Sequence, residues 1–338
     1  MNVDVLYIKP HGFGWEPISR LAEKMTKYFS GNLFTLSDSG VTKIDKIFSC
    51  LPISRGGDFL IVLSPIPEHL LYARRFLRRQ GNYKTIVAWV IDSWWDNRIP
   101  KSFKYLSFFD HVYVTELEMV SIWRALFSST VSWLPLGSDV LSEVLGMNSK
   151  KTIDLQRIGR QPVLWDDDVS LELVAKRIGL TFRGRPPFSD NSQKSIENVL
   201  MANREAKRVL AFSNLMSPAN YTHPNREYVT SRWLDALACG AKVVGVRPRE
   251  EGSDDLLWDG ATLDIPVDDV ERGLQMIKED ISREEPGAAR ERQLEALKRF
   301  DWAWRFKQIA DDFHLDVPLV DSRIDRINGI LSGEDSVL

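Results

Sequence analysis

Two rhythms of apolar and polar positions run along this chain. Short runs rich in Val, Ile, Leu and aromatic residues occupy positions 3–8, 33–36, 59–63, 86–91, 111–114 and 131–134, the length and composition of buried strands. Between them, Glu16–Phe29 and positions 68–79 and 117–127 carry apolar residues at helical spacing. Such strand, helix, strand alternation predicts parallel sheets with helices on both faces.

After a polar stretch at 146–151 the rhythm restarts. Strands are expected at 153–158, 180–183, 208–212 and 242–246, with helices near 170–178, 195–204 and 227–238. The expected fold class is therefore α/β, with two doubly wound Rossmann-like domains joined near residue 148, one over 1–147 and the other over 148–300. Helices at 268–281, 286–300 and 302–313 follow, the last without a strand after it. The segment 301–338 is read as helices, the first expected to cross back to the first domain, and a fraying tail.

With 338 residues, of which 43% are hydrophobic, the chain can fill two cores. A net charge of −3 provides no global basic field to gather nucleic acid, so no nucleic-acid partner is expected. Its two cysteines, Cys50 and Cys239, are too few and too far apart for a zinc site or a disulfide scaffold. The opening MNVDVLYIKP has no basic region followed by an apolar one, and no stretch reaches the roughly 20 apolar residues of a membrane span. A cytoplasmic protein is the reading. Arg74, Arg75, Arg78 and Arg79, set among Leu70, Leu71, Phe76 and Leu77, form a basic amphipathic helix, the candidate for peripheral contact with the inner membrane face, although a solvated face explains it too.

Candidate chemistry gathers where strands end. The first strand runs into Lys9-Pro10-His11-Gly12-Phe13-Gly14, and Gly12 and Gly14 allow backbone to approach a phosphate or sugar closely, or simply make a tight turn. His11 beside them is a candidate proton acceptor. Asp92, Trp94, Trp95 and Asp96 follow a buried strand, the types that stack on sugar faces, bind hydroxyls or accept a proton, or that cap a core and a helix. The polar loop 214–224 offers Asn220 and His223 at another strand end. Three adjacent carboxylates, Asp166, Asp167 and Asp168, suggest a metal less than they suggest N-terminal caps of the next helix.

In the segment NREYVTSRWLDALACGAKVVG, residues 225–245, Glu227 and Asp235 stand eight apart, just over two turns of the expected helix, and project from roughly one face. Gly240 then ends the helix before an apolar strand. This segment resembles the two-Rossmann-domain (GT-B) glycosyltransferases of the bacterial family-1-domain and spore-maturation-protein-like groups. In retaining members two acidic residues separated by seven, then Ala-Leu-Ala-Cys-Gly and a valine-rich strand, hold the nucleotide-sugar donor. Here Asp235 replaces the usual second Glu, and the Gly-Phe-Gly turn after the first is missing. Residues 131–139 resemble the segment entering the interdomain linker, and Ile158-Gly159-Arg160 the first strand and loop of the donor domain.

The resemblance implies two domains facing across a cleft and transfer of a sugar from a nucleotide-diphosphate sugar to a hydroxyl of a glycan, lipid-linked or small-molecule acceptor. A retaining course is favoured, and no cofactor or obligatory metal is expected. Glu227, His11 and Asp92 are the catalytic candidates. Asp235, Arg160, Arg232, Gly12, Gly14, Asn220 and His223 are donor-side candidates, and Trp94, Trp95 and Asp96 acceptor-side ones. The family's second phosphate-binding lysine has no counterpart before Lys176; Arg183, Arg185 and Arg232 are cations that could replace it. A non-catalytic nucleotide-sugar-binding scaffold and a nucleotide-sugar epimerase on the same architecture are the alternative functions.

Overall fold

The computed structural model describes residues 2–12, 14–37, 58–80, 83–99, 108–127, 129–146, 150–189 and 191–334. Cys50 and Phe13 lie outside them, as do the side chains of Arg78 and Arg79. The chain divides into two compact units, one of residues 1–136 with 305–324, the other of 137–304 with 325–338.

In the first unit, β1 (Val3–Lys9), β2 (Leu33–Ser37), β3 (Phe59–Ser64), β4 (Thr85–Val90), β5 (His111–Val114) and β6 (Thr130–Trp133) form one parallel sheet in the order β2-β1-β3-β4-β5-β6. Its register pairs Val5 with Leu33, Val3 with Phe59, Phe59 with Thr85 and His111 with Thr130. All six residues of β3 are buried, which a strand covered on both faces requires. Helix α1 (Glu16–Phe29) starts with Pro17 in its first turn, where a missing N–H is harmless, and buries Ile18, Leu21, Ala22, Met25 and Phe29 on one stripe. Helices α2 (Leu70–Gln80) and α3 (Met119–Leu126) are further elements of this unit among the described residues. Arg74 on α2 is buried over the Phe108 ring and Arg75 lies over Tyr72, so Arg74 does not belong to an exposed basic stripe.

The second unit opens with α4 (Val140–Leu145). Its sheet comprises β7 (Ile153–Arg157), β8 (Phe182–Arg183), β9 (Ala206–Phe212), β10 (Lys242–Val246) and β11 (Thr262–Asp264), parallel and ordered β11-β10-β9-β7-β8. Helices α5 (Asp168–Arg177), α6 (Ser192–Glu205), α7 (Ser231–Ala238), α8 (Ser253–Leu256), α9 (Val270–Ser282) and α10 (Ala288–Phe300) alternate with and follow the strands. Leu155, Trp165, Leu210, Phe212, Val244 and Leu274 are buried together in its core. In both sheets the chain starts inside, steps once to one side, then returns past its first strand to the other. That reversal places a crevice at the carboxyl ends of β1 and β3 in one unit and of β7 and β9 in the other.

Asp301 is fully buried and caps two helices, taking the Leu141 N–H of α4 at 2.7 Å and the Ala303 N–H of α11 (Trp302–Asp312) at 2.9 Å. Residues 305–324 belong to the first unit. Phe306 lies 6.0 Å from Tyr28 and 5.9 Å from Phe29, and the Tyr113 hydroxyl bonds Asp312 at 2.6 Å. Helix α12 (Pro318–Ser332) closes the chain. Among the described residues no helix is long and apolar enough to cross a membrane.

Candidate functional site

At the carboxyl end of β7 the chain turns through Gly159 with φ +74°, a left-handed conformation that glycine adopts without strain. A Cβ there would stand 3.0 Å from Nη1 of Arg232, so the guanidinium approaches the turn as closely as a bare backbone permits. Arg232 enters on the first turn of α7. Its Nη2 donates to the Phe212 carbonyl at 2.5 Å and its Nη1 to the Arg160 carbonyl at 3.4 Å, while Nε is buried with no partner. Burial and then the neighbouring charge of Arg160 bring its pKa down to about 10. Arg160 itself donates from Nε to the Ser217 carbonyl at 3.1 Å and lies 4.8 Å from the centre of the Tyr221 ring. Among the described residues no carboxylate pairs with either arginine.

Glu227 reaches the same strand end. Ser213, the residue after β9, donates its hydroxyl to Oε1, and the Arg249 backbone N–H donates to Oε2 at 2.9 Å. Both carboxylate oxygens are thus anchored. The helix expected from residue 227 begins only at Ser231, because Val229 N–H is taken by Glu250 at 2.7 Å and Thr230 is extended. Glu227 therefore lies on an extended approach segment, and it does not share a helix face with Asp235.

Asp235 is on α7 and buried, accepting the Ser138 hydroxyl at 2.6 Å. His223 is buried too, its Nδ1 accepting the Asn225 and Arg226 N–H groups at 3.2 and 3.0 Å, which shapes the loop. Asn220 is exposed on that loop, and Tyr221 beside it is 60% exposed. Asp167 caps α5 through the Val169 and Ser170 N–H groups, while Asp166 and Asp168 pair with buried Arg157. These three carboxylates serve a helix end and a cation.

In the first unit His11 is exposed after β1, and Gly12 and Gly14 have φ +99° and +111°. A Cβ at either would meet no atom within 4 Å among the described residues, so the backbone conformation, not crowding, calls for glycine. Asp92 follows β4. Burial pushes its carboxyl up to about 7, with Arg98 pulling the other way. The expectation of indoles displayed for stacking fails for Trp94 and Trp95: both are buried, with ring centres 4.3 Å apart, because the turn after β4 folds them into the core. Arg98 covers Trp95 at 3.7 Å, and Asp96 lies half-buried in the same turn.

The structure thus brings together Gly159, Arg160, Arg232 and Glu227. It adds Ser213, Tyr221 and Arg249, which sequence reasoning did not single out. Ser213 could have been found as the first residue after a strand at the reversal point, and Tyr221 as the aromatic residue of a polar loop.

No family model and no curated protein matches the chain. Among solved structures it is similar to the lipopolysaccharide outer core galactosyltransferase WaaB in its apo form, at 13% identity and TM-score 0.46, over 93% of this chain and 99% of that one. It is also similar to S. aureus TarM, solved as a mutant with fondaparinux, α-GlcNAc-glycerol and UDP, at 14% identity and TM-score 0.41, over 73% of this chain. A third is the pneumococcal O-GlcNAc transferase GtfA with UDP and GlcNAc, at 14% identity and TM-score 0.37, over 85% of this chain. The chain spans 55% of TarM and 60% of GtfA.

Proposed function

We propose that this chain is a glycosyltransferase that binds a nucleoside-diphosphate sugar at the carboxyl end of its C-terminal sheet. The observation that carries the reading is that the Arg232 guanidinium closes on the Gly159 turn beside Arg160, whose own side chain lies on the Ser217 carbonyl and the Tyr221 ring, and that among the described residues no carboxylate pairs with either arginine. Two guanidinium groups at a glycine turn, at the reversal point of a doubly wound sheet, form a receptor for a diphosphate. The motif around Glu227 adds a fixed carboxylate at the same strand end. Held by Ser213 and the Arg249 N–H, it is suited to orienting sugar hydroxyls, and we assign it that role in a retaining transfer.

The acceptor, on this reading a glycan, lipid-linked or small-molecule hydroxyl, engages the N-terminal unit. For an inverting course, the alternative to the retaining one, a base must take the hydroxyl proton; a carboxyl group partly ionised near neutrality can do so, and Asp92 is the residue we assign to that step. Positive charge for the departing diphosphate comes from the arginines, so the reading needs no obligatory metal.

The test is a panel of nucleotide sugars, with binding followed by calorimetry and nucleotide release followed with and without acceptors. Release that depends on an acceptor supports the proposal. Binding without turnover favours a scaffold, sugar conversion without an acceptor favours an epimerase, and absence of any nucleotide binding overturns the reading.

A further inference from the structure

At the amino end of the C-terminal sheet, far from the candidate site, cations outnumber the carboxylates that face them. Lys151, half-buried two residues ahead of β7, donates from Nζ to the Cys239 carbonyl at 2.7 Å and to the Asn203 carbonyl at 3.3 Å. The next carbonyl along the chain, that of Gly240, accepts Nε of Arg292 at 3.1 Å. Nη1 of Arg292 then takes one oxygen of Glu284 at 2.6 Å and Nη1 of Arg208 the other at 3.1 Å, so one carboxylate lies between two guanidiniums. Asp280 receives Nε of Arg208 and Nζ of Lys242, each at 2.6 Å. Glu143, behind Cys239, is already taken by Arg204 at 2.6 and 2.7 Å. Lys151, Arg208, Lys242 and Arg292 therefore share Asp280 and Glu284. Three donors are left over among the described residues: Nη2 of Arg208, Nη2 of Arg292 and Nδ2 of Asn203, on residues 0%, 7% and 0% exposed. Buried N–H groups without an acceptor are costly, and what this cluster lacks is an acceptor that carries negative charge.

Lys151 can become that acceptor. Burial first, with the charges of Arg292 and Arg208 adding to it and those of Cys239 and Glu284 opposing, brings its amine down from 10.5 to about 8, so the neutral, nucleophilic form is present near neutrality. We propose that Lys151 is a modification site that takes up dissolved carbon dioxide as a carbamate, whose carboxylate meets the unpartnered N–H groups of Arg208, Arg292 and Asn203. The lone pair of the neutral amine forms the bond to the carbon of carbon dioxide. One C=O electron pair moves onto its oxygen, and a proton leaves the nitrogen for solvent. The N–H that remains keeps the Cys239 carbonyl. The exchange replaces an ammonium by an anion, so four cations around two carboxylates become three cations around three anions, and the added hydrogen bonds are charge-assisted. Such a carbamate is an anion of the chain itself, and it serves the fold at this end of the sheet.

The experiment incubates the parent chain and Lys151→Arg with carbon-13 bicarbonate, the source of dissolved carbon dioxide, and with sodium chloride at equal ionic strength. Carbon-13 NMR detects the carbamate, and alkylation with a trialkyloxonium ion followed by peptide mass spectrometry locates it. Label is expected on the peptide that holds Lys151, rising from pH 7 to pH 9 as the amine loses its proton, and the carbamate resonance should be lost in Lys151→Arg. Bicarbonate should raise the parent's melting midpoint by about 2–4 °C relative to chloride and leave that of Lys151→Arg in place. The mass measurement on the parent stands by itself if the variant does not fold. Absence of label from Lys151 across that pH range, or label confined to the α-amine or to other lysines, overturns the assignment. Stabilisation by bicarbonate that chloride matches, or that Lys151→Arg retains, also overturns it, since the cluster would then hold a free anion.

Discussion

At the amino end of the C-terminal sheet, Arg208 enters β9 fully buried and meets Asp280 at 2.6 Å and Glu284 at 3.1 Å; Lys242, opening β10, reaches Asp280 at 2.6 Å, and Arg292 reaches Glu284 at 2.6 Å. At the carboxyl end of the same sheet, Arg160 and Arg232 bond, among the described residues, only to carbonyl oxygens, and Arg160 lies against the Tyr221 ring. Orphaned N–H groups do not separate the two ends, since Nη2 of Arg208 and of Arg292 is as partnerless as Nε of Arg232. The carboxylates do. At the amino end burial pushes Asp280 and Glu284 up, but hydrogen bonds and charge from Lys242, Arg208 and Arg292 outweigh it and hold both carboxyls below their ordinary values. At the carboxyl end burial and a like charge bring an arginine down to about 10. A cation closed by anions of its own chain serves the fold; one left open is, on the proposed reading, a receptor for an anion from outside.

The largest effect that could break this contrast is at the closed end. Arg208→Met leaves Asp280 and Glu284 without their buried partner, and loss of one member of such a network costs about 3–5 kcal/mol. Urea unfolding should show that loss, while nucleoside-diphosphate affinity, measured on the folded fraction, stays at the parent value. A fall in affinity as large as the fall in stability would show that the two ends are not separate in function.

At the open end the pattern should invert. Arg232→Met removes a charge that no carboxylate balances, so unfolding stability should hold or rise slightly, and nucleoside-diphosphate affinity should fall by about 1.5–3 kcal/mol, the range for charge-assisted hydrogen bonds. The readings are chemical denaturation and calorimetry on one preparation. Lost stability with unchanged affinity would make Arg232 a structural residue and remove the contrast.

Much of this geometry can be read along the chain, and what cannot has a common cause. Helix α1 coincides with its expected span because its apolar stripe and Pro17 are local signals. Strand β3 declares itself as an apolar run buried on both faces. Arg160 is visible as a cation one residue past a glycine that ends a strand. By contrast, α4 is not legible, because its N-terminal N–H is capped by Asp301, far along the chain. Helix α7 starts four residues late because Glu250 claims the Val229 N–H and Thr230 is extended. Strand β11 is three residues long, too short for periodicity to register. The burial of Trp94 and Trp95 and the meeting of Arg160 with Tyr221 depend on neighbours supplied by the fold. Local pattern reaches elements; long-range side-chain contacts decide their ends and the site.

Asp235 sharpens the comparison because it sits one helical turn from open Arg232 yet is itself closed by Ser138. An asparagine oxygen can still accept the Ser138 hydroxyl, so Asp235→Asn should lower stability by only about 0.5–1.5 kcal/mol, the net value of a typical hydrogen bond. Thermal unfolding and nucleotide calorimetry decide between two roles. Stability falling with affinity intact places Asp235 with the closed residues; affinity falling with stability intact places it in the donor site, as the motif resemblance implies.

The smallest change is expected in the other sheet, where the open charge is an anion. Asp92 follows β4 with its carboxyl raised from 3.8 to about 7, chiefly by burial. Between about pH 4 and pH 7 the folded chain keeps a proton that the unfolded chain has lost, so this residue makes stability fall as pH rises through that window and level off above it. The sign follows from the folded state binding more protons, which favours folding at the acid side. Asp92→Asn cannot ionise, so the fall in melting midpoint from pH 5 to pH 8 should be smaller in the variant than in the parent, the two converging toward pH 5. Water still reaches the side chain in part and screens the charge, which keeps the difference below the effects at Arg208 and Arg232. If both proteins lose the same midpoint over that range, Asp92 is not an open charge, and the contrast between closed and open groups does not extend to the N-terminal sheet.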